Sequence, residues 1–215
     1  MKRFGTMVLL TLAVACSNPA ADKPAASVSD PASPEPPAAK APEPAPAEAA
    51  SGTLAFTGQG SSIEMVGSKI TGSHDVKVTD FKGDIQLAEG AAVESGTVQV
   101  VMQMATIESD HPKLTKHLLN SDFFEVDKHP TSSFKSTAIE KGGEGGASHT
   151  VSGDLTLRGV TKNIRFPATI TQAGKAVTVK AEFSINRKDF GIAYAGKPDD
   201  LIRDEVLIKL NLNAS

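Results

Sequence analysis

Five histidines and several clustered carboxylates are the residues that would do chemistry, if this chain does any. His111, His117 and His129 share one stretch with Asp110, Asp122 and Asp127. Metal centres need ligands spaced for one helical face or one tight turn, and neither HxxxH nor a Cys/His spacing occurs. His74, within Gly72-Ser73-His74-Asp75, is placed to pair with a carboxylate. Asp199-Asp200 and Asp204-Glu205 are sequence neighbours, and neighbours on a strand point to opposite faces, so a solvated loop accounts for them better than paired acid–base work. No G-x-S-x-G nucleophile elbow is present. We read the chain as non-catalytic, with no metal and no cofactor. A metal-assisted hydrolase using His74 or His117 is the third reading.

Cys16 is the sole cysteine, so no disulfide forms within the monomer. It follows Lys2, Arg3 and an apolar run from Met7 to Ala15, too short for a finished membrane span. Leu12-Ala13-Val14-Ala15-Cys16 resembles a bacterial lipobox. The expectation is a signal peptide over 1–15 and an acylated Cys16 holding the protein on a membrane. Ser17, in place of Asp after the cysteine, resembles an outer-membrane sorting signal, which predicts the periplasmic face of that membrane.

Residues 16–51 are Ala, Pro, Ser, Glu and Lys in low-complexity order, and read as a disordered tether. As polyproline such a tether would extend about 100 Å, at ~3.1 Å per residue. The remaining chain, 52–215, is long enough for one hydrophobic core. A formal net charge of −3, one Tyr and no Trp exclude an electrostatic or stacking surface for nucleic acid. Nothing in the composition opposes a homodimer.

Apolar residues in the head recur every second position, as in half-buried strands. Ile63 and Met65 begin the pattern; Phe81, Ile85 and Leu87 follow; Val98, Val100, Met102 and Met104 alternate with Gln99, Val101 and Gln103. Later come Val151, Leu155 and Leu157; Ile164 and Phe166; Val177, Val179, Ala181, Phe183 and Ile185; and Val206, Ile208, Leu210 and Leu212. Glycine-bearing turns separate these runs. About eight antiparallel strands argue for an up-and-down barrel or a sandwich. The alternation breaks at 112–127. Asp110 is an N-cap candidate, Pro112 suits a first turn, and Leu114 and Leu118 share a helical face. Asn120-Ser121-Asp122 then ends the helix and turns Phe123-Phe124 onto apolar surface.

Three motifs stand above this background. They are HLLNSDFFEVDKHP with FKST over 117–137; GDLTLRGVTK over 153–162, ending at Arg165-Phe166-Pro167; and INRKDFGI over 185–192, with Asp204-Glu205-Val206 beyond it. Their order and spacing resemble the YceI-like family, whose members look like lipocalins. The resemblance implies an all-β, elongated antiparallel barrel with one short helical insertion. It also implies binding of a polyisoprenoid or isoprenoid-quinone chain in the bacterial envelope, without catalysis. On that expectation the lumen is lined by Phe81, Ile85, Val98, Val100, Met102, Met104, Phe134, Leu155, Leu157, Ile164, Phe166, Phe183, Ile185, Phe190, Val206, Ile208 and Leu210. Arg187, Asp189 and Asp204 are candidates for the barrel end, as an ion pair or beside a polar headgroup. The alternative is an adhesion or stress scaffold whose barrel is filled by its own side chains.

Overall fold

The computed structural model describes residues 18–31, 51–88 and 90–215. Cys16 and most of the tether lie outside the described residues. The strands are β1 (Ser27–Ser29), β2 (Ser51–Thr57), β3 (Ser62–Lys69), β4 (Gly72–Val78), β5 (Phe81–Ala88), β6 (Thr97–Gln103) and β7 (Ile107–Ser109), then the helix α1 (Pro112–Leu118). After it come β8 (Thr131–Lys141), β9 (His149–Leu157), β10 (Val160–Ala173), β11 (Ala176–Asn186), β12 (Gly196–Lys197), β13 (Asp200–Leu201) and β14 (Glu205–Ala214).

Register shows how these pieces join. β2 pairs β5 while β3 pairs β4, and β5 pairs β6 while β4 pairs β7, all antiparallel. β2/β3, β4/β5 and β6/β7 are therefore three long strands, each interrupted by a bend. β8, β9, β10, β11 and β14 continue the antiparallel sheet in that order, and β14 returns to β3. Ala55 of β2 also exchanges backbone hydrogen bonds with Ser215. The curled sheet thus meets its own first strand, as an eight-stave barrel of the kind the alternation predicts. β12 and β13 form a separate two-stranded ribbon.

The alternation sets the faces. Val98, Val100 and Met102 on β6 are buried, whereas Val101 is exposed. Val177, Val179, Ala181, Phe183 and Ile185 on β11 are all buried. At the β9–β10 turn Arg158 and Gly159 both take positive φ, 50° and 73°. Two left-handed residues give a two-residue hairpin turn whose twist matches its strands.

The helix starts at Pro112 as expected, but His111 and not Asp110 caps it: His111 Nδ1 accepts from the Lys113 amide at 3.3 Å. Asp110 is drawn away by His74, 2.9 Å distant. Leu118, Phe123 and Phe124 are buried and join the main core.

One stretch of the expected tether is ordered. The β10–β11 ladder stops at Thr169↔Lys180, and beyond it the two strands splay apart. β1 fills the gap, pairing antiparallel with β10 through Ser27↔Arg165, Val28↔Ile164 and Ser29↔Asn163. On its other edge the Ala26 amide donates to Ser184 O and the Ser184 amide donates to Pro24 O. Composition assigns residues 18–31 to a disordered segment, but two open strand edges supply the hydrogen bonds that such a sequence cannot make alone. Upstream, Ala20 is buried against Val66 and Leu207, which alternate with cavity-facing neighbours and so lie on the outer face of β3 and β14.

Candidate functional site

Inside the barrel lies an apolar cavity of ≈ 120 Å³. Val98, Val100, Met102 and Met104 line one wall, Phe134, Leu155 and Leu157 the next, Ile164, Phe166, Phe183 and Ile185 another, and Ile208 and Leu210 the last. These thirteen residues come from the seventeen lumen candidates. The other four do not reach the cavity. Phe81, Ile85 and Phe190 are fully buried with at most 2% exposure, packed solid into the core. Val206 shares the phase of Ile208 but sits further along β14, half-buried against the same core. Phase fixes the face of a residue; position along the barrel axis decides whether it lines space or fills it.

Eight further lining residues were not among those candidates: Ile63, Met65, Val78, Ser132, Val151, Ile170, Val179 and Leu212. Five of them, Ile63, Met65, Val151, Val179 and Leu212, belong to the two-residue runs, so the signal was there. Among the described residues Ser132 is the single polar one on the wall, and its hydroxyl donates to Thr156 O at 2.6 Å. A hydroxyl satisfied by backbone has little call on a ligand. Phe166 and Phe183 stack with centroids 4.1 Å apart, and Phe134 meets Phe166 at 6.0 Å.

At one barrel end Arg187 is buried. Its guanidinium donates to the carbonyls of Arg203 at 3.0 Å, Ile192 at 2.7 Å and Ile202 at 3.4 Å, and to Asp204 Oδ1 at 3.0 Å. Lys188 Nζ meets the other Asp204 oxygen at 2.7 Å. Of the two arrangements open to Arg187, Asp189 and Asp204, the ion pair is therefore formed. Asp189 takes no part in it. With every arm engaged by the chain, Arg187 is a structural clamp between the end of β11 and the segment leading into β14.

A second clamp was not foreseen. Arg158, on the β9–β10 turn, donates to Gly191 O and Ser121 O and lies 3.4 Å from Glu125. It ties together all three motifs on which the family resemblance rests. The hydrogen bond from Lys128, reinforced by the charges of Lys128, Arg158 and His129, holds the Glu125 carboxyl below its ordinary range. A hydrogen bond from Lys69, with others from Thr71, likewise lowers Asp200.

The histidines are dispersed. His74 pairs with Asp110, His117 with Asp122 at 2.8 Å, and His149 lies between Ser148 and Glu94. His129 abuts Gly159, where any Cβ would fall 2.5 Å from the ring. Among the described residues no three His, Cys, Asp or Glu side chains converge into a metal site, and no helix is long and apolar enough to cross a membrane.

Residues 48–214 match the YceI-like domain. The chain belongs to the YceI-like family. A UPF0312 protein of Pseudomonas putida (strain W619) is 37% identical over 123 residues, 54% of this chain and 62% of that protein. One from Ectopseudomonas mendocina (strain ymp) is 38% identical over 96 residues, 45% of this chain and 49% of that one. The matches therefore span at most about 62% of the length of these curated relatives. The YceI-like fold is shared with the crystal structure of Burkholderia cenocepacia BcnA, at TM-score 0.63 and 23% identity over 74% of this chain and 98% of that one. It is shared also with a polyisoprenoid binding domain from Saccharophagus degradans implicated in plant cell wall breakdown, at TM-score 0.60 and 15% identity over 76% and 97% of the two chains.

Proposed function

We propose that this YceI-like protein binds a long isoprenoid lipid, a polyisoprenoid or an isoprenoid quinone, in the cell envelope, and makes or breaks no bond in it. The observation that carries the reading is the cavity wall: branched aliphatic, Met and Phe side chains from β3, β4, β6, β8, β9, β10, β11 and β14, with one hydroxyl already satisfied. Such a wall recognises hydrocarbon by shape and exclusion of water, and offers nothing to a charged or hydrogen-bonding solute. Each buried methylene contributes about 0.8 kcal/mol, so even one five-carbon prenyl unit gains roughly 3–4 kcal/mol. The structural neighbour described as a polyisoprenoid binding domain supports the same ligand class.

In this reading an acylated Cys16 anchors the protein at the periplasmic face of the outer membrane, and the segment after it lets the barrel meet lipid without being inserted. The test is lipid extraction and mass spectrometry of protein purified from its native envelope. Recovery of a polyprenyl or quinone species in near-stoichiometric amount is the expected result. A protein that yields only bulk phospholipid would instead favour a barrel that serves as a scaffold. For the anchor, Cys16→Ser should move the protein from the membrane to the soluble fraction; retention after a high-salt wash would place the anchor elsewhere.

A further inference from the structure

The cavity is too small for a long isoprenoid as it stands. An apolar cavity of ~150 Å³ takes one benzene, so ≈ 120 Å³ accommodates about one prenyl unit. A chain of many units must therefore extend beyond this space, through a barrel end or through the wall. Most of the wall consists of strands paired along extended ladders, such as β8 with β9 from Ser133↔Thr156 to Lys141↔His149 and β11 with β14 from Val177↔Ala214 to Asn186↔Glu205. The seam between β10 and β11 differs. There the wall is closed by residues 24–29, a segment remote in sequence from both strands.

Little holds that segment. Pro24-Ala25-Ala26-Ser27-Val28-Ser29 carries one side chain larger than Pro, Val28, and it is only partly buried. Backbone hydrogen bonds and two flanking ion pairs do the rest: Lys23 with Glu182 of β11, and Asp30 with Lys162 of β10 at 2.6 Å. Exposed ion pairs of this kind hold a segment only weakly. Low apolar burial is a mark of a locally opening element. Residues 18–23, which precede it, form no barrel stave, so on that side it can leave without unravelling the barrel. Directly behind it stand Ile164, Phe166, Phe183 and Ile185, all on the cavity wall.

We propose that the β10–β11 seam is a lateral portal for a long isoprenoid chain, and that residues 24–29 are its gate. The proposal rests on the lipid-binding reading above. The strand lies in the seam when the barrel is empty, leaves it to admit the chain, and competes with the chain for the same gap. A ligand longer than the cavity then occupies the seam itself, against Phe166 and Phe183.

A reversible lock tests this. Ser27 and Arg165 are cross-strand partners and both are exposed. Antiparallel partners stand about 4.5–5.5 Å apart at Cα, within disulfide range. In a Cys16→Ser background, Ser27→Cys with Arg165→Cys gives one protein that is locked when oxidised and free when reduced. Uptake of radiolabelled nonaprenol from a cyclodextrin complex should slow about ten-fold or more on oxidation, because the gate's local opening is abolished, and dithiothreitol should restore it. Equal uptake in both redox states overturns the gate and leaves the lipid-binding reading intact. No uptake by the reduced protein sinks the lipid-binding reading and the portal together. In the protein without the lock, the Ala26 and Ser184 amides should exchange hydrogen with little dependence on denaturant. Exchange of both only through global unfolding, at the rate of the β9–β10 amides, also overturns the gate.

Discussion

Phe166 and Phe183 stack face to face, centroids 4.1 Å apart and planes within 13°, although their strands do not pair with each other at that level. The β10–β11 ladder has already ended at Thr169↔Lys180, and residues 24–29 intervene between the two backbones. The rings close beneath the seam what the backbones leave open. A double-mutant cycle with Phe166→Leu and Phe183→Leu should return a coupling of about 0.5–1.5 kcal/mol, the range for aromatic pairs beyond simple burial. Coupling near zero in denaturant melts would mean that the stack does not hold the seam.

Met102→Trp separates a carrier from a scaffold. Met102 faces the cavity, and its neighbours across β6, Val101 and Gln103, point outward. In a carrier the larger ring enters ligand space, so nonaprenol binding should weaken while the urea midpoint changes little. In a barrel with no ligand space the same change overpacks the interior and costs typically ~1–3 kcal/mol. Binding assays and urea melts on this one variant read both quantities.

The cavity wall was largely legible because strand alternation is local: a residue's phase is written in its immediate neighbours, as for Val98, Val100 and Met102. Depth along the barrel is not local. Phe81 and Ile85 share the inward phase but pack solid, since taper depends on every stave at once. The gate was hidden for a different reason. Its bonds to β10 and β11 are made by backbone groups, which leave no mark on side-chain type, and Ala-Pro-Ser composition reads as disorder wherever it occurs. Arg158 lies within the motif at 153–162, but its reach to Ser121, Glu125 and Gly191 depends on a left-handed turn that only the folded chain reveals.

Gly153→Ala should disturb the cavity from its wall, since Gly153 is buried in the inward phase of Val151 and Leu155. A Cβ at Gly153 would fall 2.3 Å from the Phe134 ring and 2.6 Å from Lys135 O. The backbone contact has nowhere to go, and the ring can move only by leaving its place on the cavity wall. A loss of about 1–3 kcal/mol in thermal or urea unfolding is expected, with weaker nonaprenol binding. A variant as stable as the parent would show that β9 shifts easily relative to β8.

Arg187 and Asp204 are unequal partners. Removing the guanidinium by Arg187→Ala leaves three carbonyls without their donor and Asp204 with Lys188 alone, and should cost about 3–5 kcal/mol. Asp204→Asn keeps an acceptor and leaves the three carbonyl contacts in place, so about 1 kcal/mol is expected. Urea melts of the two variants should rank in that order. Equal losses would mean that the charge of Asp204, and not the carbonyl cradle, fixes the end of β11.

Acid should loosen the Arg158 clamp through Glu125. Its carboxyl is held below the ordinary glutamate range by the Lys128 hydrogen bond first, then by the charges of Lys128, Arg158 and His129. A carboxyl depressed in the folded state binds protons less readily than in the unfolded chain. Its contribution to stability is therefore complete above the ordinary glutamate value and is lost as pH falls through the lower, folded value. Glu125→Gln removes that titration. The variant should be less stable than the parent near neutral pH, and the two should converge in urea midpoint once pH is well below the glutamate range. A constant gap between them across that window would show that Glu125 acts by packing alone, and that its charge adds nothing to the clamp.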